Sequence, residues 1–388
     1  MSDGQVLTSQ NSGFSSQALS LIGGLIIAMS LPARAGYAQE LSPATSLSGY
    51  MEAHYNKPEG ADGELDFHRF ILLITHQFTD RIRFVSELEL EHAFVEGLEA
   101  AGELELEQAY LDFLLSRSFN VRAGMLLMPV GIINERHEPP VFYGVERPLV
   151  ETVIIPTTWF EVGVGVHGEV GRGWRYRLFL TSPLDAAEFS AEEGLRNGRQ
   201  KGSRANTGKA AATGRFEYVG IRGLTAGASF WAGSSGFQFQ PRFDVPVRLF
   251  EGDARFSRGR FEGRAQFAQV GIDGAGDLND AVTRTTGVNP NIARTLRGSY
   301  LEASYRVVSG ARFGDVGTFV RYENVDTQYR MPAGFVSLPE FDRDVWVVGA
   351  TYWPEPDIAV KVDYVHQRNG SAVIRAPRSF NIGLGWWF

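Results

Sequence analysis

The chain has 388 residues, 44% hydrophobic, 12% aromatic and 21% charged, with 44 glycines, no cysteine and a formal net charge of −8. The negative balance speaks against a nucleic-acid partner. The lack of cysteine excludes a disulfide scaffold and a Cys-ligated zinc, and nothing in the composition calls for a cofactor.

In chain order, the first feature is "ALSLIGGLIIAM", Ala18 to Met29. It is shorter than the roughly 20 residues of a transmembrane helix. Ala33-Arg34-Ala35 after it gives a small-x-small cleavage pattern, and Gly36-Tyr37-Ala38 a second one. Residues 1–38 therefore read as a secretory signal peptide. The stretch before it is atypical for one, with Asp3 and no Lys or Arg. Residues 39–45 read as a short periplasmic segment.

From 46 to 388 the dominant period is 2, the signature of strands. Sixteen stretches show it: 46–55, 66–78, 81–92, 104–115, 119–128, 160–170, 173–182, 209–219, 224–232, 246–256, 260–270, 299–308, 315–325, 344–353, 357–367 and 379–388. No long window has a helical period. The connections alternate short and long. "TD" (79–80), "GR" (171–172) and "PEP" (354–356) are tight, whereas 93–103, 129–159, 183–208 and 271–298 are long. That asymmetry predicts an all-β, 16-stranded antiparallel up-and-down transmembrane barrel with short periplasmic turns and long extracellular loops.

The faces agree. In 81–91, Ile82, Phe84, Leu88 and Leu90 alternate with Arg81, Arg83, Glu87, Glu89 and Glu91. A charge facing lipid at the midplane costs about 2–4 kcal/mol, so charged faces must look inward. Arg69, Arg83, Glu87, Glu89, Arg122, Glu161, Arg175 and Arg177 are the expected lumen-facing charges, and about 16 strands enclose enough space for water. Aromatics cluster at strand ends, as interfacial girdles require. The last stretch carries Phe380, Ile382, Leu384, Trp386 and Phe388 on one face. It predicts a closing strand that also resembles the C-terminal signal read by the outer-membrane insertion machinery.

"LEQAYLDFLLSRSFNVRAGMLLMPVGIINERHEPPVFYGVERP", Leu106 to Pro148, resembles the core of the phosphate-selective porin O and P family. The likeness rests on Ala109-Tyr110, a strand containing Gly124, and Pro129-Val130-Gly131 opening the third long loop. It implies an outer-membrane porin, often trimeric, whose third loop folds into the lumen. The family's lysine-rich and arginine-rich pore lining is missing here: there are four lysines, Lys57, Lys201, Lys209 and Lys361. Phosphate selectivity therefore does not carry over.

The third loop, 129–159, is the main functional candidate. At about 30 residues it exceeds an ordinary loop, and Pro139, Pro140, Pro148 and Pro156 stiffen it. Glu135, Arg136, His137, Glu138, Glu146, Arg147 and Glu151 are its candidate constriction residues. "NERHE" has no recognised ligand spacing, so no metal is assigned. In the fourth loop, Arg196, Arg199, Lys201, Arg204 and Lys209 form a basic run suited to anionic solutes or lipopolysaccharide phosphates. "GVGVHG" (163–168) continues as strand, which disfavours a nucleotide site. "DGAGDLND" (273–280) reads as a solvated loop. No G-x-S-x-G elbow and no paired histidine spacing points to an enzyme. The resulting expectation is a bacterial outer-membrane channel for passive diffusion of small hydrophilic solutes or ions. The alternative is a closed barrel acting through its loops as receptor, adhesin or wall protein.

Overall fold

The computed structural model describes residues 44–93, 102–236, 239 and 243–388. The expected signal peptide and residues 39–43 lie outside the described residues. The described chain forms β1 (Ala44–Pro58), β2 (Glu64–Thr79), β3 (Ile82–Glu91), β4 (Leu104–Phe113), β5 (Asn120–Leu127), β6 (Phe160–Val170), β7 (Trp174–Thr181) and β8 (Ala211–Ile221). It continues with β9 (Leu224–Ser234), β10 (Pro246–Arg258), β11 (Phe261–Ile272), β12 (Thr295–Ala311), β13 (Gly314–Arg330), β14 (Asp342–Glu355), β15 (Ile358–Asn369) and β16 (Arg378–Trp387). Each strand pairs antiparallel with its sequence neighbours, and β1 pairs with β16 to close the ring. Reciprocal bonds complete the seam: Phe388 N–H donates to the Gly49 carbonyl (2.9 Å), and Gly49 N–H to that of Phe388 (3.1 Å). The expected sixteen-stranded barrel is the fold. Closure satisfies every ladder without an open edge, as a bilayer demands.

The outer face is set by the pleat. On β14, Trp346, Val348 and Tyr352 point out and are exposed, while Val345, Val347 and Thr351 point in and are buried. Tyr322 packs on Trp346 with ring centroids 4.8 Å apart and donates its hydroxyl to Asp344 (2.6 Å). This apolar band with aromatic margins is what lipid and headgroups require, and the protein is an outer-membrane barrel. β12 and β13 run to 17 residues each, beyond the stretches 299–308 and 315–325. Their ends are polar and hold no apolar alternation for a sequence reading to follow.

One element corrects the reading. Within 271–298, expected as loop, α1 (Ala275–Thr286) forms a helix flanked by left-handed Gly274 and Gly287. Ala275, Leu278, Ala281 and Val282 are its buried stripe, packed in one cluster with Ile272 and Ile292. Asn279 pins it by donating to the Ile292 carbonyl (2.9 Å) and accepting the Ile292 N–H (2.7 Å). "DGAGDLND" thus supplies the first turns of a helix. Two of the four stripe residues are alanines, too weak a signal over 12 residues to stand out.

Placing a cation on the belt tests the assignment of faces. Val348→Arg is expected to lower the folding free energy by about 2–4 kcal/mol, measured as the urea dependence of folding into lipid vesicles. An effect near zero would contradict a lipid-facing Val348.

Candidate functional site

The site is built by the segment joining β5 to β6. Asn134 ties its base: Nδ2 donates to the Met128 and Trp159 carbonyls (2.7 and 2.9 Å), and Oδ1 accepts the Trp159 N–H (2.7 Å). The segment then contacts inward-facing side chains of the far wall. Tyr143 donates to Glu262 (2.9 Å), and Thr351 donates to the Tyr143 carbonyl (3.0 Å). Lys361 donates to the Gly144 carbonyl (2.8 Å). Asp363 accepts the Val145 N–H (2.6 Å), and Glu323 the Val150 N–H (3.1 Å). On β16 the inward positions Gly383 and Gly385 leave room. A Cβ at Gly385 would meet Pro139 Cβ at 2.4 Å.

Glu151 sits in a single π-helical turn, Val150–Ile154, and is fully buried. Its Oε1 accepts the N–H of Ile132 (2.7 Å), the N–H of Ile133 (3.2 Å) and Gln266 Nε2 (2.8 Å). Gly131 makes the approach feasible, with φ of 81° and space for no Cβ, which would lie 2.5 Å from the Glu151 carboxylate. Glu151 Oε2 has no partner among the described residues. Burial pushes the carboxyl up to about 7 against the three donors.

Between this segment and β1–β4 lies a cavity of about 360 Å³. Its strand side carries Glu52, Glu89, Glu91, Glu105, Glu107 and Arg69; its loop side carries Glu146, Arg147, Arg196, Arg199 and Lys201. Arg69 is held on Glu52 by two bonds (2.9 and 2.8 Å). Lys201 bridges Glu103 (3.1 Å) and Glu105. Arg196 and Arg199 donate to the carbonyls of Thr157 and Thr158. Burial, and then its neighbour Arg199, lower Arg196 to about 10, which leaves it cationic at neutral pH.

Of the constriction candidates, Glu146 and Arg147 line this cavity. Glu135 instead pairs with Arg177 (3.3 Å), Arg136 is exposed, Glu138 is half-buried, and Glu151 is an internal brace. His137 is buried, with Nδ1 3.1 Å from the Asn134 carbonyl and Nε2 3.0 Å from Glu107. Burial is the main cause holding its imidazole below the ordinary pKa, outweighing Glu87.

Among the lumen candidates, Arg69 and Glu89 line the cavity. Glu87 accepts from Tyr50 (3.1 Å), and Arg83 and Arg122 both pair with Asp112 (2.9 and 3.0 Å). Glu161 is buried against Ser182 (2.6 Å), Arg175 pairs with Glu169 (2.9 Å), and Arg177 also pairs with Glu217 (2.8 Å). In the basic loop, Arg196, Arg199 and Lys201 turn into the cavity. Arg204 is exposed, and Lys209 pairs with Asp244. Phe380, Ile382, Leu384 and Phe388 are exposed on the outer face of the closing seam, with Trp386 half-exposed.

The sequence reading passed over Glu52, His54, Glu105 and Glu107. Glu52 and His54 alternate in "GYMEAHYN", and Glu105 and Glu107 in "ELELEQAY", so the period-2 signal was present.

No family model matches the chain. It is 35% identical over 338 residues to an uncharacterized protein of Aquifex aeolicus (strain VF5), covering 84% of this chain and 77% of that one. The two belong to one family. Solved structures share the fold at low identity. Salmonella typhi OmpF in complex with daunomycin is 12% identical with a TM-score of 0.58 over 90% of this chain and 100% of its own. The outer membrane channel DcaP of Acinetobacter baumannii is 14% identical with a TM-score of 0.57 over 92% and 100%. In-vitro folded OmpT of Vibrio cholerae, in its trimer form, is 11% identical with a TM-score of 0.55 over 90% and 100%. The chain thus shares the closed barrel fold of these outer-membrane proteins.

Glu151 generates a pH dependence. Its folded pKa of about 7 lies above the unfolded value near 4.3, so the folded state holds the proton more tightly. That contribution is complete below about pH 4.3 and is lost as pH rises through 7. The stability difference between native protein and Glu151→Gln is expected to change monotonically across this window, read from urea midpoints at each pH. A flat difference would show that Glu151 titrates normally.

Proposed function

We propose that the barrel is a passive channel for small hydrophilic solutes or ions, with the 129–159 loop and the Arg196–Lys201 arm forming its narrowest part. The carrying observation is the charged cavity: six carboxylates (Glu52, Glu89, Glu91, Glu105, Glu107, Glu146) against five fixed cations (Arg69, Arg147, Arg196, Arg199, Lys201). Selection in such a passage comes from its width and from the field of these charges. Most of the acids stand on β1–β4 and most of the bases opposite, so a polar solute would be oriented as it passes. The resemblance to the phosphate-selective porin O and P family supports the long third loop as the selecting element. The near balance of charge argues against strong anion selectivity.

The reading includes a homotrimer in lipid and lipopolysaccharide, delivered by a signal peptide and the insertion machinery. The trimer form of Vibrio cholerae OmpT supplies the precedent on this fold. One observation favours the competing closed barrel. The interior near β9–β12 is packed with apolar groups, including Trp159 against Trp231 at 5.5 Å, Leu249 and Val270.

The deciding measurement is single-channel current of the refolded protein in a planar bilayer under a salt gradient. Steady ohmic steps are expected. The triple variant Arg196→Gln, Arg199→Gln, Lys201→Gln leaves six acids against two fixed cations, and its zero-current potential is expected to move toward the cation limit. A folded barrel without conductance would overturn the channel and leave the external loops as the functional surface.

A further inference from the structure

We propose that Glu87, Glu107 and His137 form a binding site for one divalent transition-metal cation, of which Zn²⁺ is the natural probe, fastening the interior loop to the barrel wall. Glu87 comes from β3, Glu107 from β4 and His137 from the loop. All three are buried, and their ligand atoms lie within 4.8 Å of one another.

The case starts from the imidazole. His137 Nδ1 faces the Asn134 carbonyl, which can only accept, so Nδ1 carries the hydrogen. In the neutral ring Nε2 is then a lone pair. It points at Glu107 Oε2 (3.0 Å) and Glu87 Oε1 (3.8 Å), both acceptors. Acceptors converging in a buried space require an electrophile between them. A tetrahedral ion with bonds of about 2.0–2.2 Å spaces its donors about 3.4 Å apart, midway between the two observed separations. The remaining Glu107 oxygen, Oε1, is buried, and the neighbour of this carboxylate is the carboxyl of Glu89, a further acid rather than a base.

The surroundings have the form of a metal site's outer shell. A backbone carbonyl orients the imidazole, while Tyr50 (3.1 Å) and Gln108 (2.5 Å) donate to Glu87. Backbone geometry has been adjusted to present Glu107. The β3–β4 register jumps from Glu87↔Gln108 to Leu88↔Leu106, so Glu107 is the extra residue of a β-bulge. Such bulges re-aim a side chain beside functional sites. Glu107 also borders the 360 Å³ cavity, which gives an ion its entry path. An imidazole with carboxylates selects a borderline cation such as Zn²⁺ over Ca²⁺ or Mg²⁺, which take oxygen ligands.

A second cluster, Asp66, His68 and His92, has no such conflict. Both Nδ1 atoms lie within hydrogen-bond distance of one Asp66 oxygen (3.1 and 2.9 Å), and an N–H from each ring satisfies it. It serves as the control.

The test uses the folded full-length barrel in detergent, stripped with chelator and then dialysed against zinc. Elemental analysis is expected to find one equivalent per chain in the native protein and in His92→Ala, and none in His137→Ala or Glu107→Gln. Folding of each variant is checked by heat-modifiable gel migration. Cobalt substituted for zinc is expected to give visible absorption that His92→Ala retains. No bound zinc in the native protein would overturn the site in favour of a shared proton. So would loss of the equivalent in His92→Ala, or its retention in a folded His137→Ala or Glu107→Gln. The His92→Ala comparison decides if the two buried variants fail to fold. None of these readouts depends on whether the barrel conducts.

Discussion

A long segment of irregular backbone against the inner wall of a membrane barrel must find a partner for every N–H and C=O it buries. Much of the interior is organised by that requirement. The wall meets it with side chains. Asp363 and Glu323 accept amides at Val145 and Val150. Lys361, Thr351 and Arg264 donate to the carbonyls of Gly144, Tyr143 and Val141. These inward-facing charges and hydroxyls on β11 to β15 act as surrogate strands. Charge inside the barrel is therefore of several kinds: groups consumed in holding the loop, groups paired with one another along the wall such as Arg83 and Arg122 on Asp112, and groups lining the cavity beside β1–β4.

The same division explains what could be read from the residues. Strand number, faces and closure were legible because lipid penalises any other placement of charge by several kcal/mol, and that penalty writes a period of 2 into every strand. The site was less legible. Alternation says that Glu161 or Arg122 turns away from lipid. It does not say whether the side chain then meets water, a loop amide or another charge. Glu146 and Arg147 reach the cavity, whereas His137 and Glu151, in the same loop, are enclosed. Inside a barrel that outcome depends on contacts between residues over a hundred positions apart, such as Tyr143 with Glu262, and no local pattern records them. The helix Ala275–Thr286 escaped for another reason, since its buried stripe is short and half alanine.

Small residues mark where the loop lands. The inner face of β16 reads Asn381, Gly383, Gly385 between outward Phe380, Ile382 and Leu384. Lipid alone accounts for the outward set. The absence of side chains at Gly383 and Gly385 is explained by Val145 and Pro139, whose atoms would contact any Cβ placed there, at 3.2 and 2.4 Å. The closing strand thus carries two messages in alternate positions, one addressed to the membrane and one to the loop.

The cavity also owes its charge pattern to irregularities in the ladder. Register shifts interrupt β1–β2 near His68 and β3–β4 at Glu107, and both residues border the cavity. In a regular strand every second side chain turns outward, which limits the density of inward charge. A bulge lifts that limit by letting Glu107 and Gln108 both contribute to the interior. The carboxylates of the β1–β4 wall are therefore packed more closely than alternation allows, and their mutual repulsion has to be offset from the facing side. Arg147, Arg196, Arg199 and Lys201 stand there, on the two loops that this wall faces. The loops' position and the wall's acidity are in this sense one feature, because the basic groups opposite offset the crowding of acids on this wall.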